Sequence, residues 1–185
     1  VRKEGVMETI QRETNAAPPP VATRLTSEEV WRSVDKASFA VLGYVTPTGE
    51  PRSSGVVYKA LGRRLYVATA VDSWKARHIA ASGRVSVTVP VRRGGLLSLV
   101  VPIPPATVSF HGTAIVHSAG APEVASILEE LGSLLPRERR DSAAIIEIEP
   151  EGMFVTYGVG VSLTRMRDPV AARARAPVSP GGVPS

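Results

Sequence analysis

Apolar and polar positions between residues 38 and 157 follow spacings that predict mainly β-strands. Residues 38–46 are apolar at odd and even positions alike, which predicts a strand buried on both sides, as in a barrel strand covered by a helix or by another subunit. Two apolar runs, 55–60 and 65–70, flank a short gap that contains Gly62, and such a gap favours a β-hairpin. Later segments complete the set of predicted strands: 84–91, 106–118, 143–149 and 153–157.

Two segments outside these strands have helical spacing. Thr26 and Glu29 fit a capping box, which predicts that a helix begins there and runs to residue 36. Apolar side chains of this helix would share one face: Val30, Trp31 and Val34. Residues 122–131 begin with a proline in the first turn and carry a core-facing stripe at helical spacing: Val124, Ile127, Leu128 and Leu131.

A third helix is predicted at 72–81, directly after the hairpin. Asp72 or Ser73 is placed to accept the first free backbone N–H groups. Lys75 falls in the first turn, where a positive charge opposes the helix dipole, and this favours an anion beside it. The alternative is a surface lysine on an ordinary short helix. The side chains predicted to form the buried face of this helix are Trp74, Ile79 and Ala80.

Four short motifs occur in a fixed order within this pattern. They are Gly49-Glu50-Pro51, a strand over 54–59 that ends in lysine, the stretch 69–75, and Arg84-Val85-Ser86. In this order they resemble the flavin-binding split barrel of the pyridoxamine 5'-phosphate oxidase type, a family that includes enzymes using the deazaflavin F420. The resemblance covers residues 38–91 and extends more loosely to 157. It implies a mainly β fold, a split antiparallel β-barrel with flanking helices, and a homodimer with its cofactor sites at the subunit interface.

The resemblance also implies which residues hold a cofactor, FMN or F420. The strand 54–59 would lie along the isoalloxazine ring, with backbone groups around Val56 and Val57 at the polar edge of the ring. Thr69, Ser73 and Lys75 would hold the phosphate by two hydroxyl groups and a compact positive charge. Thr107 would reach the cofactor of the neighbouring subunit. The complete set implied by the resemblance is Ser54, Gly55, Val56, Val57, Lys59, Ala68, Thr69, Ser73, Trp74, Lys75 and Thr107.

The chain departs from the oxidase pattern in ways that affect cofactor and substrate. Arginines of the oxidase are replaced here by Ser54 and Trp74, which predicts weaker FMN binding or a cofactor with a different tail. Trp74 is expected either to stack on a ring or to lie in the core. The family's C-terminal Arg–His substrate motif has no match, so oxidation of vitamin B6 is disfavoured. Residues 96–105 form an apolar insertion, interpreted as part of a subunit interface in preference to a lid.

Length and composition agree with one domain between two tails. The 185-residue chain is long enough for a sizeable core, which we place in a flavin-binding domain at 25–167. A proline run marks 1–24 as a flexible arm, and an Ala-, Arg-, Pro- and Gly-rich composition predicts that 168–185 is disordered. The longest apolar run, 96–103, is too short to span a membrane, and the charged first residues disfavour a secretory signal. The absence of cysteine excludes disulfides and thiolate metal sites and agrees with a cytoplasmic location.

The net charge of +5 raises the question of nucleic-acid binding. Much of the positive excess lies near the C-terminal end, at Arg165, Arg167, Arg173 and Arg175. Only 5% of the residues are aromatic, and they do not interleave with basic residues as a platform for single strands would require. Specific nucleic-acid binding is therefore disfavoured, and a basic DNA-associated protein is kept only as a lesser alternative.

The sequence contains no constellation of catalytic or metal-binding side chains. His78, His111 and His117 are far apart, and none has a further ligand three or four residues on. This suits a cofactor enzyme, in which the protein supplies orientation and electrostatics. We therefore predict an FMN- or F420-dependent oxidoreductase that transfers hydride to or from a small conjugated or heteroaromatic substrate. The alternative is a non-catalytic protein on the same barrel that binds haem, another tetrapyrrole or a flavin, with His78 or His111 as axial ligand of haem.

Overall fold

A computed structural model describes residues 25–92, 105–118, 120–122, 125–131, 138, 142–162 and 165–179. The predicted arm 1–24 and residues 96–104 of the predicted insertion lie outside these ranges. The elements are α1 (Ser27–Lys36), β1 (Phe39–Val45), β2 (Pro51–Val57), β3 (Lys59–Leu61), β4 (Arg64–Ala70), α2 (Trp74–Ser82), β5 (Arg84–Val91), β6 (Ala106–Ser118), α3 (Ala125–Glu130), β7 (Ala143–Tyr157), a 3-10 turn (Arg165–Arg167) and β8 (Arg173–Pro177).

The described strands form one antiparallel sheet that closes on itself. Its order is β2-β1-β5-β6-β7-β4-β3, and β8 lies beside β7. The two strands at opposite ends of this order, β2 and β3, are joined through a single residue, Tyr58. The sheet therefore has to curl until its two ends meet. The result is a split antiparallel β-barrel with flanking helices, and the predicted fold class is confirmed.

The residue at this junction is tied to α1. Tyr58 is 1% exposed, and its hydroxyl donates to the backbone carbonyl oxygen of Val34 at 2.7 Å. Its backbone N–H donates to the carbonyl oxygen of Ser38 at 2.9 Å. Burial raises the pKa of the Tyr58 phenol above its ordinary value. Water cannot replace a hydrogen bond in such a place, so the bond fixes the junction against the last turn of α1.

The main core fills the inside of the curled sheet. Trp31 of α1 and Phe110 of β6 each pack edge-on against Phe154 of β7, with ring centroids 5.4 Å apart in both pairs. The Trp31 Nε1–H and the Ser27 hydroxyl both donate to the carbonyl oxygen of Val178, at 3.1 and 2.7 Å. Two donors on α1 thus hold the chain where it leaves β8.

A smaller second core lies on the outside of the sheet. Leu128 and Leu131, in α3 and directly after it, pack with Tyr66 of β4 and with Ala143 and Ile145 of β7. The start of β7 is consequently buried on both faces, whereas most strand positions alternate between buried and exposed.

The outward face of β1 and β2 is uncovered in the single chain. Ala40 and Leu42 point into the core and are buried. Apolar side chains on the other face are 40 to 51% exposed: Phe39, Val41, Val45 and Val57. The expectation that this first strand is buried on both sides therefore holds, within one chain, only for its inner face.

Several predicted elements are confirmed in detail. Thr26 and Glu29 make both hydrogen bonds of the capping box, with the Thr26 N–H donating to the Glu29 carboxylate at 2.9 Å. The hairpin pairs Leu61 with Arg64, and β6 has the predicted bounds. The helix predicted over 122–131 is described as a shorter one, Ala125–Glu130. No helix within the described ranges is long and apolar enough to cross a membrane.

Three predictions were wrong. Of the residues predicted for the buried face of α2, Ile79 is buried, but Trp74 and Ala80 are exposed, and Ala76 completes that face. The two strands predicted over 143–157 are one continuous strand, in which Gly152 adopts φ +67° where the pairing with β6 is irregular. The segment 168–185 was expected to be disordered, but part of it forms β8, whose arginines face outward while its alanines are buried.

Tyr58→Phe tests the fixed junction. Removal of the hydroxyl leaves the Val34 carbonyl without this partner in a dry site, so we expect the free energy of unfolding to fall by about 1 to 3 kcal/mol. Urea denaturation measures the change. Tyr157→Phe is the matched control, because the hydroxyl of Tyr157 bonds the Met166 carbonyl at 3.1 Å at a part-buried site where water can substitute. Equal effects of the two changes would contradict the special role of the junction.

Candidate functional site

Free backbone edges meet along the split of the barrel. In the described part of the chain β2 pairs with β1 alone, so its other edge has no strand partner. β3 pairs with β4 only as far as Tyr66, which leaves that edge of β4 unpaired from Val67 to Ala70. Since Lys59 pairs with Tyr66, the preceding residues Val57 and Val56 run beside the free edge of β4, and the two strands are neighbours. Unpaired N–H and C=O groups therefore border this cleft on both sides.

Two hydroxyl groups meet where β4 leads into α2. Ser73 is the N-cap of α2, and its side chain accepts from the Ala76 N–H at 3.2 Å. The Ser73 hydroxyl also lies 3.2 Å from the Thr69 hydroxyl at the end of β4. The remaining N–H groups of the first turn have no partner within the helix itself. This corner thus presents hydroxyl and amide donors to an acceptor outside.

Lys75 brings a positive charge to the same corner. Its side chain is half-buried, and burial lowers the pKa of its ammonium below the ordinary value of 10.5. No carboxylate of the described residues forms an ion pair with it, whereas the described Arg52, Arg63, Arg64 and Arg84 each do. A half-buried ammonium without a carboxylate is costly unless an anion neutralises it. Together with the helix dipole and the two hydroxyls, this arrangement favours an anionic ligand.

Trp74 lies beside this corner and faces solvent. It is 69% exposed. The Arg77 guanidinium lies over its ring, with the guanidinium carbon 4.6 Å from the ring centroid. The ring of His78 is 5.8 Å away, and a second aromatic contact joins His78 to Tyr44 at 6.0 Å.

Across the split, the residues predicted on β2 alternate between the two faces of the sheet. Ser54 points inward, where its hydroxyl lies 3.2 Å from the hydroxyl of Tyr44. Val56 also points inward and is buried. Gly55 and Val57 point outward, and a side chain at Gly55 would press against the Phe39 ring at 3.0 Å. The Phe39 ring thus covers the outward side of the backbone at Gly55.

The other predicted residues lie at different distances from this corner. Ala68 precedes Thr69 on β4 and is part-buried, and Lys59 is exposed at the start of β3. Thr107 is on β6, two strands from β4 in the sheet order, and pairs with Pro90 and Tyr157. The structure thus brings together the residues from Thr69 to Lys75 with the β2 edge, and leaves Thr107 apart from them within one chain.

Sequence reasoning named His78 as a haem ligand but missed that His78 and Arg77 contact Trp74. Arg77 and His78 follow it by three and four residues, a spacing that places side chains together on a helix. The Nδ1 atom of His78 is buried and has no hydrogen-bond partner. Within the described ranges, no group of three His, Asp or Glu side chains is arranged to hold a metal ion.

Comparisons with known proteins agree with this geometry. The model of the pyridoxamine 5'-phosphate oxidase family matches residues 26–157, which is more than half of the chain. No curated protein matches. An FAD-binding protein from Mesorhizobium loti is 17% identical, with a TM-score of 0.55, and the match covers 69% of this chain and 89% of that one. An F420 reductase is also 17% identical, with a TM-score of 0.50 and coverage of 66% and 93%.

A haem-binding protein from Mycobacterium smegmatis has the same fold. It is 16% identical, with a TM-score of 0.63, and the match covers 85% of this chain and 60% of that one. At such identities the likeness to solved structures concerns the fold, whereas the family model matches the sequence itself across both borders of the split and the start of α2. The chain belongs to the pyridoxamine 5'-phosphate oxidase family.

Proposed function

We propose that the protein is an oxidoreductase that binds FMN or F420 and transfers hydride to or from a small conjugated or heteroaromatic substrate. One observation carries the proposal: Lys75 is half-buried at the start of α2, has a lowered pKa, and pairs with no carboxylate of the described residues. A phosphate group is the anion that such a helix start accommodates best. Both cofactors carry one.

The phosphate would be held by three kinds of group at this corner. Lys75 supplies the charge, Thr69 and Ser73 supply hydroxyl donors, and backbone N–H groups of the first turn supply the rest. Because the hydroxyls of Thr69 and Ser73 already lie 3.2 Å apart, they need little rearrangement to face the same oxygen atoms.

The ring of the cofactor would lie along the split. The free edge of β2 offers backbone donors and acceptors around Val56 and Val57 to the polar edge of an isoalloxazine. The bound flavin or deazaflavin supplies the hydride chemistry at its N5 atom, and the residues of this chain hold and orient it.

Ser54 and Trp74, which stand where the oxidase has arginines, affect how the phosphate of the cofactor would be bound. The Ser54 hydroxyl is 3.2 Å from that of Tyr44, and Trp74 carries no charge, so neither replaces an arginine. Lys75 is thus left as the principal cation at this corner, which supports weaker binding of the doubly charged phosphate of FMN than in the oxidase.

We further propose that the protein acts as a homodimer with its cofactor sites at the interface. The outward face of β1 and β2 exposes Phe39, Val41, Val45 and Val57, and an apolar surface of this kind favours association. Val41 pairs with Thr88 of β5, and Thr88 pairs with Ser109 of β6. The outward face therefore extends along β6 toward Thr107, which would contact the cofactor of the partner subunit.

A haem-binding function on the same barrel is the second candidate, and His111 is the residue that favours it. His111 is exposed on the outward face of β6, and Gly152 leaves space beside its ring. His78 is a poorer ligand, because a ligating histidine normally donates its second ring N–H to a partner, and the buried Nδ1 of His78 has none.

Lys75→Ala tests the phosphate anchor. Loss of a charge-assisted contact should raise the Kd for FMN, or for F420 if that is the cofactor bound, by roughly 10- to 100-fold, measured by fluorescence titration. Lys75→Arg should retain most of the affinity, and Lys36→Ala, at an exposed lysine in the last turn of α1, should leave it unchanged. Unchanged affinity in Lys75→Ala would remove this residue from the site. Binding of haemin, but of neither FMN nor F420, would favour the second candidate.

The affinity for the cofactor should depend on pH through Lys75. Its pKa lies below 10.5, and phosphate pairs with the ammonium form, so affinity should fall as the pH rises through that pKa. Lys75→Arg keeps its charge throughout and should lack this fall, since ionisations of the ligand are common to both proteins. Titrations from about pH 7 to about pH 10 check this, and parallel pH profiles for the two proteins would contradict it.

Val41→Asp tests the dimer. A carboxylate in the middle of the outward face would be buried without a partner, so the dimer should dissociate to monomers, as measured by sedimentation equilibrium. Val170→Asp is the matched control, because Val170 is 73% exposed in the turn before β8. A dimer that persists in Val41→Asp, or a wild-type protein that is already monomeric, would rule out this interface.

A further inference from the structure

Trp74 is an exposed aromatic ring held in a fixed orientation. The Arg77 guanidinium that covers one face of the ring donates through Nε and Nη2 to the Asp72 carbonyl oxygen, at 3.2 and 2.7 Å. His78 packs at 5.8 Å with the two rings inclined by 44°. Both contacts restrain the indole, while 69% of the residue remains exposed to solvent.

This ring has no packing role in the described part of the chain. It belongs to neither core, and the buried residues of α2 are Ala76 and Ile79. The other tryptophan, Trp31, is 3% exposed and hydrogen-bonded. A restrained ring with an open face loses little conformational entropy when a flat group stacks on it, which is the property of a binding platform.

The position of the ring ties it to the phosphate corner. Trp74 stands between the N-cap Ser73 and Lys75, the two residues that would contact the phosphate. A group stacked on Trp74 would therefore lie beside the phosphate of the same ligand.

We propose that the Trp74–Arg77 pair is a stacking platform for a heteroaromatic base linked beyond the phosphate, so that the protein binds the adenine dinucleotide form of flavin in preference to FMN. This proposal rests on the phosphate corner of the proposed function. Trp74 stacks on the adenine, and Arg77 is a positioning residue that holds the indole through its bond to the Asp72 carbonyl. F420, whose diester leads to a non-aromatic tail, would gain nothing from the platform.

The test is the ratio of the Kd values for FMN and FAD in wild type and in variants of Trp74. Stacking of a base on an aromatic side chain should make FAD bind roughly tenfold more tightly than FMN in the wild type. The ratio should fall to about one in Trp74→Leu and remain near the wild-type ratio in Trp74→Phe, which keeps a stacking ring. In Arg77→Gln the ratio of the Kd values should fall only part of the way toward one. Trp31 fluorescence reports in every variant that the fold is intact.

ADP separates failure of the platform from failure of the flavin proposal. It should quench the exposed Trp74 in wild type, and this quenching should be absent in Trp74→Phe, where buried Trp31 is the remaining tryptophan. Quenching by ADP without binding of either flavin would support the platform and overturn the flavin function. Equal affinities for FMN and FAD in wild type, an unchanged ratio in Trp74→Leu, or binding of F420 without quenching by ADP would each overturn the platform.

Discussion

The junction at Tyr58 is the constraint on which the arrangement of the site depends. One buried residue connects the two end strands of the sheet and is fixed to α1 by a hydrogen bond of 2.7 Å. Because β3 is only three residues long, the two ends of the sheet meet at this junction and separate beyond it. The separation leaves free edges on β2 and β4, and α2 begins where the free edge of β4 ends. A flat ligand with polar atoms at its edge could bond the free strand edges of this cleft, and an anionic tail on the ligand would lie at the start of α2.

Two side chains at the start of α2 are in environments that cost free energy unless a ligand is bound. Lys75 loses hydration without gaining a carboxylate among the described residues, and Trp74 exposes a large apolar ring. A bound anion would offset the first cost and a stacked ring the second. In the main core, by contrast, polar groups bond to each other, as where the α1 donors Trp31 and Ser27 share the Val178 carbonyl. The contrast sets this corner apart from the structural core.

Much of the fold could be predicted because its signals are local. The capping box at Thr26, the short hairpin gap and the alternation along β6 each depend on neighbouring residues, and all three are confirmed. The error at Trp74 came from the helical period: residues five apart lie roughly 140° apart around a helix, so Trp74 and Ile79 cannot share a face. In β8, the alternation of arginine and alanine was a strand signal hidden by a composition typical of disorder.

The candidate site was predicted less completely, for a physical reason. That Thr69, Ser73 and Lys75 belong together follows from a motif. The burial of Lys75, and the lack of an ion pair to it from any carboxylate of the described residues, depend on how distant elements pack. The free edges of β2 and β4 likewise exist only in the closed sheet. Exposure of Trp74 and its contact with Arg77 follow from the orientation of α2 on the sheet, which no local pattern specifies.

The most direct test of the account is the pKa of Lys75 itself, measured by NMR on protein with isotopically labelled lysine, with and without FMN or F420. The account predicts a pKa below 10.5 in the free protein and a rise when the cofactor binds, because the phosphate stabilises the ammonium. The signal of Lys36, exposed at the end of α1, serves as the reference and should not respond to either cofactor. A Lys75 pKa that is not lowered in the free protein and does not rise with either cofactor would contradict the central claim.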